Sequence, residues 1–345
     1  MRKFLFLSVL PAVVLASGCD KPQLPPETVP EIRSVVLSDD GVSMFKGDEM
    51  DLGITVDSDE GYAVRSVVWE TSSPSVVAVE DGKIVATGKG EAFIAVCVDE
   101  KVSDTCTVTV YDPSVGDYLY EDGSFSSQPE DGKTPVAIVY WLGDPGEDDA
   151  LLAGDFPDCT HGLAVSMEQR TSYWQYWYDV YQSSISEWIA GNAPSFNSIA
   201  TGIEESDPLN KKMGYNNTKA LEAFNADPAN AEWPVELAEC LLSFRSEVPS
   251  PQGTSGWYIP SAKEISMVCS GDLPGNIWGQ RNQTSNMELL NVAISRIPGM
   301  PVLEGLYWSS SEYDEIDVFD LNFYFGDVYY AQKDFEDNVR FVLAF

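Results

Sequence analysis

Between residues 32 and 111 the apolar positions come in short runs rich in Val, Ile and Thr. Runs of this kind, with turn residues between them, predict strands and not helices. The expected strands are 33–37, 50–56, 66–70, 76–80, 83–87, 92–98 and 105–110. The punctuation lies at Asp39-Asp40-Gly41, Lys46-Gly47-Asp48, Asp81-Gly82 and Gly88-Lys89-Gly90. Asp-Gly between two strands is a tight-hairpin signal, because glycine supplies the positive φ that such a turn needs. Short strands at this spacing predict an all-β sandwich over 32–112.

Beyond the Asp112-Pro113-Ser114 linker the pattern changes, and 116–345 reads as a mixed α+β domain. Pro135–Trp141 and Gly162–Met167 are continuous apolar runs, separated by an acidic stretch, 143–158, that reads as a loop. Residues 172–190 are aromatic and partly helical in pattern. Trp174 and Trp177 read as core, and the neighbouring tyrosines as equally suited to core or surface. Asn217-Thr218 reads as a cap for a helix over 219–226, and 233–245 has helical periodicity. Ser261 followed three residues later by Glu264 is a capping box, so a helix should start there. From Leu306 onward the chain reads as strands. Phe319, Leu321, Phe323 and Phe325 alternate with Asp320, Asn322 and Tyr324, which predicts one face in the core and one in solvent.

Composition narrows the function classes. The 345 residues hold 55 acidic and 20 basic side chains, a formal net charge of −35. A main role on nucleic acid is excluded, because phosphate binding needs a basic patch. The single histidine, His161, argues against a multi-histidine metal centre and reads as structural. No Asp-x-Asp-x-Asp-Gly calcium loop is present, the acidic clusters read as solvated surface, and no cofactor or metal site is expected.

The chain opens with Arg2-Lys3 and a short apolar run, the layout of an export signal and too short to span a bilayer. It runs into Ala16-Ser17-Gly18-Cys19, which resembles the lipobox of bacterial lipoproteins. That resemblance implies a signal over 1–19, lipid on Cys19, a Pro-rich tether over 20–31, and a lipid-anchored location at the cell envelope, outer membrane or cell surface. An exported compartment permits disulfides. Cys97 and Cys106 flank an expected turn at 99–104, where they either face each other in a bridge or remain free thiols.

Two further resemblances follow from particular residues. Val68–Val79, Asp81–Gly88 and Gly90–Ile94 resemble the group 2 bacterial Ig-like domain, which implies a spacer or adhesive module. His161–Ser166, Asn217-Thr218, Gly256–Ser261, Tyr307–Glu312 and Asn338–Phe345 together resemble the C-type-lectin-like fold, in the branch related to formylglycine-generating enzymes. The sugar-binding triplets of calcium-dependent lectins are absent, as is a match to the reactive cysteine pair of those enzymes. The resemblance therefore hands over no site.

The candidate ligand-binding face is the C-terminal strand-and-loop set Tyr313, Asp314, Asp317, Asp320, Asn322, Tyr324, Asp327 and Tyr330. These are the amphipathic and polar side chains that binding surfaces use. The expected function is adhesion or ligand binding at the cell surface, to an extracellular protein or glycan, without catalysis. The alternatives are a carbohydrate-active enzyme using acidic residues, or a structural or tip subunit of a surface fibre.

Overall fold

A computed structural model describes residues 29–345. The export signal, Cys19 and most of the tether lie outside the described residues. No helix among the described residues is long and apolar enough to cross a membrane.

Residues 32–111 are all strand and turn. Gly41–Phe45, Val102–Tyr111, Gly90–Val98 and Val67–Thr71 form one sheet in that order. Glu49–Asp51, Lys83–Ala86 and Val77–Glu80 form a second, and Ile32–Leu37 pairs with Ile54–Ser58. Their inward positions make one aliphatic core that includes Val35, Val77, Ile84, Ile94, Val96 and Val108, with Trp69 packed against its rim. The Asp81-Gly82 hairpin forms as expected, with φ of 49° and 89° at its two residues. Two expectations change. The predicted strand 50–56 is two strands, 49–51 and 54–58. Gly41–Phe45, read as a stretch between turns, is a strand that pairs parallel with 107–111.

The Cys97–Cys106 bridge is corrected by register. Cys97 lies opposite Ser103, and Cys106 opposite Ile94. Cys106 points into the core with Val108 and Val110, whereas Cys97 sits on the outward face between buried Val96 and Val98. The two side chains therefore leave the sheet on opposite sides, and both are free thiols.

The second region packs two five-stranded sheets with helices. The first sheet runs Phe125–Ser126, Tyr118–Tyr120, Pro135–Leu142, Gly162–Ser166 and Val342–Ala344. It is covered on both faces: Ile138, Leu163 and Val165 enter one core, while Ala137, Val139 and Ala164 enter the other. That double burial is why these strands read as unbroken apolar runs. The second sheet runs Arg170–Tyr173, Glu336–Val339, Leu306–Glu312, Asp317–Asn322 and Asp327–Gln332. Its ladders are antiparallel except between 336–339 and 306–312.

Helix Ala262–Ser270 starts at the expected capping box, formed by Ser261 and Glu264. Glu264 Oε2 accepts from the Ser261 N–H and hydroxyl, both at 2.7 Å, and from the Gly214 N–H at 2.9 Å. A Cβ at Gly214 would lie 2.2 Å from that oxygen, so only glycine fits. Burial pushes the Glu264 carboxyl up to about 7 despite these donors. The helix expected at 219–226 instead spans Gly214–Ala226, and Asn217 and Thr218 are buried inside it, not capping it. The acidic loop holds a short helix, Ala150–Asp155, capped by the buried Asp149. Trp174 is core as read, but Trp177 is 48% exposed. The expected alternation of the tail is also corrected: Asp320 is buried, because core residue Val318 shows the sheet to be covered on that side too, and Phe325, expected in the core, is 54% exposed.

The two regions meet at an aromatic seam. Phe45 stacks on His161 at 4.2 Å and contacts Phe345 at 5.6 Å. His161 Nε2 lies 2.8 Å from Asp48 Oδ1, so the lone histidine joins the regions.

Candidate recognition site

The hairpin of Asp317–Asn322 and Asp327–Gln332 is the edge of the second sheet. Its turn closes at Gly326, with φ of 62°. A Cβ there would lie 2.4 Å from the Gln283 carbonyl oxygen, so glycine lets the loop before helix Ser285–Ile294 lie against the hairpin. The Asn282 N–H donates to the Phe325 carbonyl at 2.6 Å and holds that approach.

Just upstream, the turn Ile277–Gly279 carries Trp278. Asn276 caps it, and the Ile277 N–H donates to Asn210 Oδ1 at 2.9 Å. Trp278 therefore sits on a fixed support. Its ring lies parallel to Tyr330, 5.8 Å away at 5°, and Tyr330 stacks on Tyr313 at 4.5 Å and 8°. Trp278 and Tyr313 each meet the buried Phe319 edge-on. The three parallel rings are thus anchored in the core while Tyr330 stays 44% exposed.

Beside this ladder is a cavity of about 360 Å³, lined by Trp278, Gln280, Arg281, Asp327, Tyr329 and Tyr330, with Val328 as its aliphatic wall. Asp327 is only 7% exposed. One carboxylate oxygen accepts from the Tyr329 hydroxyl at 3.1 Å, and the other has no partner. Arg281 is exposed and makes no ion pair among the described residues.

The eight expected site residues therefore separate. Asp327 and Tyr330 line the cavity, and Tyr313 backs Tyr330. Asp314 is a turn former, accepting from the Ile316 and Asp317 N–H groups at 2.8 Å each. Asn322 does the same for Tyr324, at 3.0 Å. Tyr324 is exposed but outside the cavity, and Asp317 sits half-buried at the far end of its strand. Asp320 shares the face of Asp327 and Tyr329 but sits one strand further in, outside the cavity and 4% exposed, and burial together with the charge of Asp337 pushes its carboxyl up to about 7. Sequence reading missed Trp278, Gln280 and Arg281. The available signal was a tryptophan within a Gly- and Asn-rich stretch, Gly275–Asn282, bounded by two helices.

A larger cavity, about 530 Å³, opens at the seam between Phe45, Asp48, Tyr111, His161 and Phe345. At its polar centre His161 Nε2 lies 2.8 Å from Asp48 Oδ1, while His161 Nδ1 is buried without a partner. Among the described residues no three His, Cys, Asp or Glu side chains form a group suited to a metal ion.

No family profile matches the chain. The fold is that of a fimbrial protein from Bacteroides ovatus, whose crystal structure superposes over 90% of this chain and 70% of that one, with a TM-score of 0.56 and 19% identity. In sequence the chain is similar to a putative fimbrium tip subunit, Fim1C, also from Bacteroides ovatus, at 28% identity over 223 residues. That alignment covers 57% of this chain and 38% of the relative, so the chain spans about two fifths of its length. A shorter stretch of 61 residues is 43% identical to an uncharacterized protein of Clostridium acetobutylicum, over 17% of this chain and 15% of that protein.

These findings correct the resemblance to an Ig-like module followed by a C-type-lectin-like domain: the neighbours are fimbrial proteins. The motifs behind that resemblance are local packing solutions. Gly256–Ser261 places Trp257, whose Nε1 donates to the Val248 carbonyl at 2.9 Å, and then caps a helix. Such pieces report how a strand enters a helix, not how the whole chain is wound. What stands of the expected fold class is the coarser statement, a β-rich, multi-sheet chain with helices.

Proposed function

We propose that this chain is a structural subunit of a surface fibre, placed at or near its tip. The observation that carries the reading is the fold correspondence with a fimbrial protein over 90% of the chain. The sequence similarity to a putative tip subunit adds the position in the fibre. In this reading residues 32–112 are a sandwich spacer and 116–345 a head, the chain is exported, and lipid on Cys19 ties it to the outer envelope. Its partners are other fibre subunits and an extracellular ligand. The role needs no chemical step.

The adhesive part of the reading is favoured by one specific observation: a rigid aromatic ladder beside a cavity at the edge of the sheet. Tyr313, Asp327 and Tyr330 remain the recognition residues of the original eight. Asp314 and Asn322 act by shaping the loops that frame them, and Asp317, Asp320 and Tyr324 fall outside the cavity.

The test is location. A tagged full-length chain is followed through shearing and purification of fibres from the producing cells, with gold labelling in the electron microscope. The reading expects label at fibre ends and co-purification. Label confined to the cell body, with fibres unchanged when the gene is deleted, overturns it. Metabolic labelling with a fatty acid, lost in Cys19→Ala, checks the anchor separately.

A further inference from the structure

The edge of the second sheet carries backbone chemistry that the fold leaves unused. The Lys333 N–H donates to the Ile316 carbonyl, and residues 331, 329 and 327 stand opposite 318, 320 and 322. Hydrogen-bonded pairs alternate along an antiparallel ladder, so Val328, Tyr330 and Gln332 present their N–H groups outward. Among the described residues these three N–H groups have no hydrogen-bond partner, and neither do the carbonyls of Val328 and Tyr330. Proteins blunt such edges with short strands, bulges, proline, charge or a covering element. The other edges of this region follow that rule. Strand 125–126 is two residues long. Strand 170–173 bears Arg170, and the adjoining Trp174 carbonyl accepts from Leu237 in helix Glu236–Glu247. The outer side of 342–344 is bridged by Tyr258. Strand 327–332 has six residues, an unbroken register and no proline, and its one charged residue, Asp327, is buried.

The cavity of about 360 Å³ lies between this edge and Trp278, Gln280 and Arg281. An added strand satisfies the outward groups and sets its side chains beside Tyr330 on one face and Tyr329 on the other, both exposed. Charge chooses the occupant and its direction. Asp317 stands opposite Gln332, and Glu315 and Asp334 adjoin Lys333, whose ammonium is committed to Glu312. Arg281 lies at the other end, where the next residue, Asn282, donates to the Phe325 carbonyl. A segment running antiparallel to 327–332 with basic residues leading therefore meets carboxylates first and Arg281 last. The net charge of −35 attracts such a segment and opposes the approach of a second copy. We propose that strand Asp327–Gln332 binds an extended, basic-led segment of an extracellular protein by strand addition. This deepens the adhesive part of the surface-fibre reading and rests on it only for where the partner is met.

The experiment uses the full-length chain and pools of blocked heptapeptides, in which five positions drawn from valine, threonine and tyrosine follow two lysines, two glutamates or two alanines. Fluorescence polarisation gives affinity, and amide hydrogen exchange reports where the peptide lies. The lysine-led pool binds, and it slows exchange of the Tyr330 and Gln332 amides roughly tenfold or more. The glutamate-led pool binds about tenfold more weakly at low salt, a gap that narrows as salt rises. N-methylation of alternate peptide amides abolishes binding. Gln332→Pro removes one outward donor and leaves the ladder, because proline is tolerated where an edge N–H faces outward. It weakens binding roughly fivefold to tenfold, the loss of one hydrogen bond. Should that variant fail to fold, the N-methylated peptides carry the same test on the unaltered chain. Folded protein that binds none of the pools overturns the proposal, as does tighter binding of the glutamate-led pool or binding without protection of 330 and 332. Protection of those amides that rises with protein concentration, without peptide, overturns it in favour of a second copy. A Gln332→Pro chain that loses peptide binding yet still reaches fibre ends supports the proposal. One that is lost from fibres as well makes the edge a joint between subunits and overturns it. Peptide binding by a chain that never joins a fibre defeats the fibre reading alone.

Discussion

The two regions are stabilised by different kinds of interior. The core of residues 32–111 is almost wholly aliphatic, with Val, Ile and Ala side chains filling the space between twisted sheets. The interior of the second region is threaded with buried polar groups. Glu312 and Lys333 are both fully buried and pair at 2.6 Å. Glu312 also accepts from the Ile185 and Ser186 N–H groups, at 2.9 and 3.1 Å, at the start of helix Ile185–Asn192. Lys333 lies over Trp174 at 5.2 Å and donates to the Glu315 carbonyl at 3.1 Å. Arg340, also buried, reaches the Ser166 and Met167 carbonyls at 2.7 and 2.9 Å. An aliphatic core is specified mainly by volume, and many sequences fill it. A polar interior must match donor to acceptor at each node, so a change that preserves shape can still break it.

The sharpest way to break that comparison is Glu312→Gln. The side chain keeps its shape but leaves Lys333 charged and unpaired in the core. Losing one partner of a buried pair costs about 3–5 kcal/mol, which a shift of the urea midpoint measures. A cost below about 1 kcal/mol would show that the node is dispensable.

Asp320→Asn comes next and has the opposite sign. Its carboxyl is lifted from an ordinary 3.8 to about 7, first by burial and then by Asp337. Between those values the folded chain holds a proton that the unfolded chain has released. Stability therefore falls as pH rises from about 4 to about 7, and the loss is complete above that. The amide removes this term, so the variant gains about 1–3 kcal/mol at pH 8 and loses part of the slope. Glu264, Asp149, Glu236, Asp317 and Asp337, each raised first by burial, contribute to the remainder. Urea melts at pH 5 and pH 8 decide it: an unchanged difference between the two refutes the assignment.

In the aliphatic region Ile84→Val removes one buried methylene and costs about 0.5–1.5 kcal/mol, less than the shape-preserving Glu312→Gln. A reversed order would undo the contrast. The smallest effect is expected at Cys97→Ser, within about 0.5 kcal/mol of the parent, with thiol titration of the purified protein returning Cys97 as a free sulfhydryl.

The same contrast explains what the amino-acid sequence discloses. Sheets buried on one face leave an alternating signature, and Asp-Gly turns punctuate it, so most strands of 32–111 are legible. Gly41–Phe45 is not, because its partner 107–111 lies far along the chain and its own residues, Gly-Val-Ser-Met-Phe, are flanked by turn signals. The Ser261–Glu264 box is local and legible. The site is half legible. Asp327 and Tyr330 belong to a strand whose composition stands out, but Trp278 and Arg281 reach them by tertiary packing against a glycine, Gly326, which no periodicity announces. Asp320 and Asp327 look alike in sequence and share one side of the sheet; only the strand each occupies, inner or edge, separates them.

The pairing of 342–344 with 163–165, and of Arg340 with Ser166, also has a temporal side. These contacts join segments some 170 to 180 residues apart, and non-local contacts slow folding because loop closure is paid before they form. A strand in the middle of the second region waits unpaired on one side until residue 344 has been made. The sandwich, whose residues lie within 32–111, has no such wait. Synthesis from the amino end would therefore deliver a finished first region still attached to an open second one, exposed to misassembly until the last strand docks.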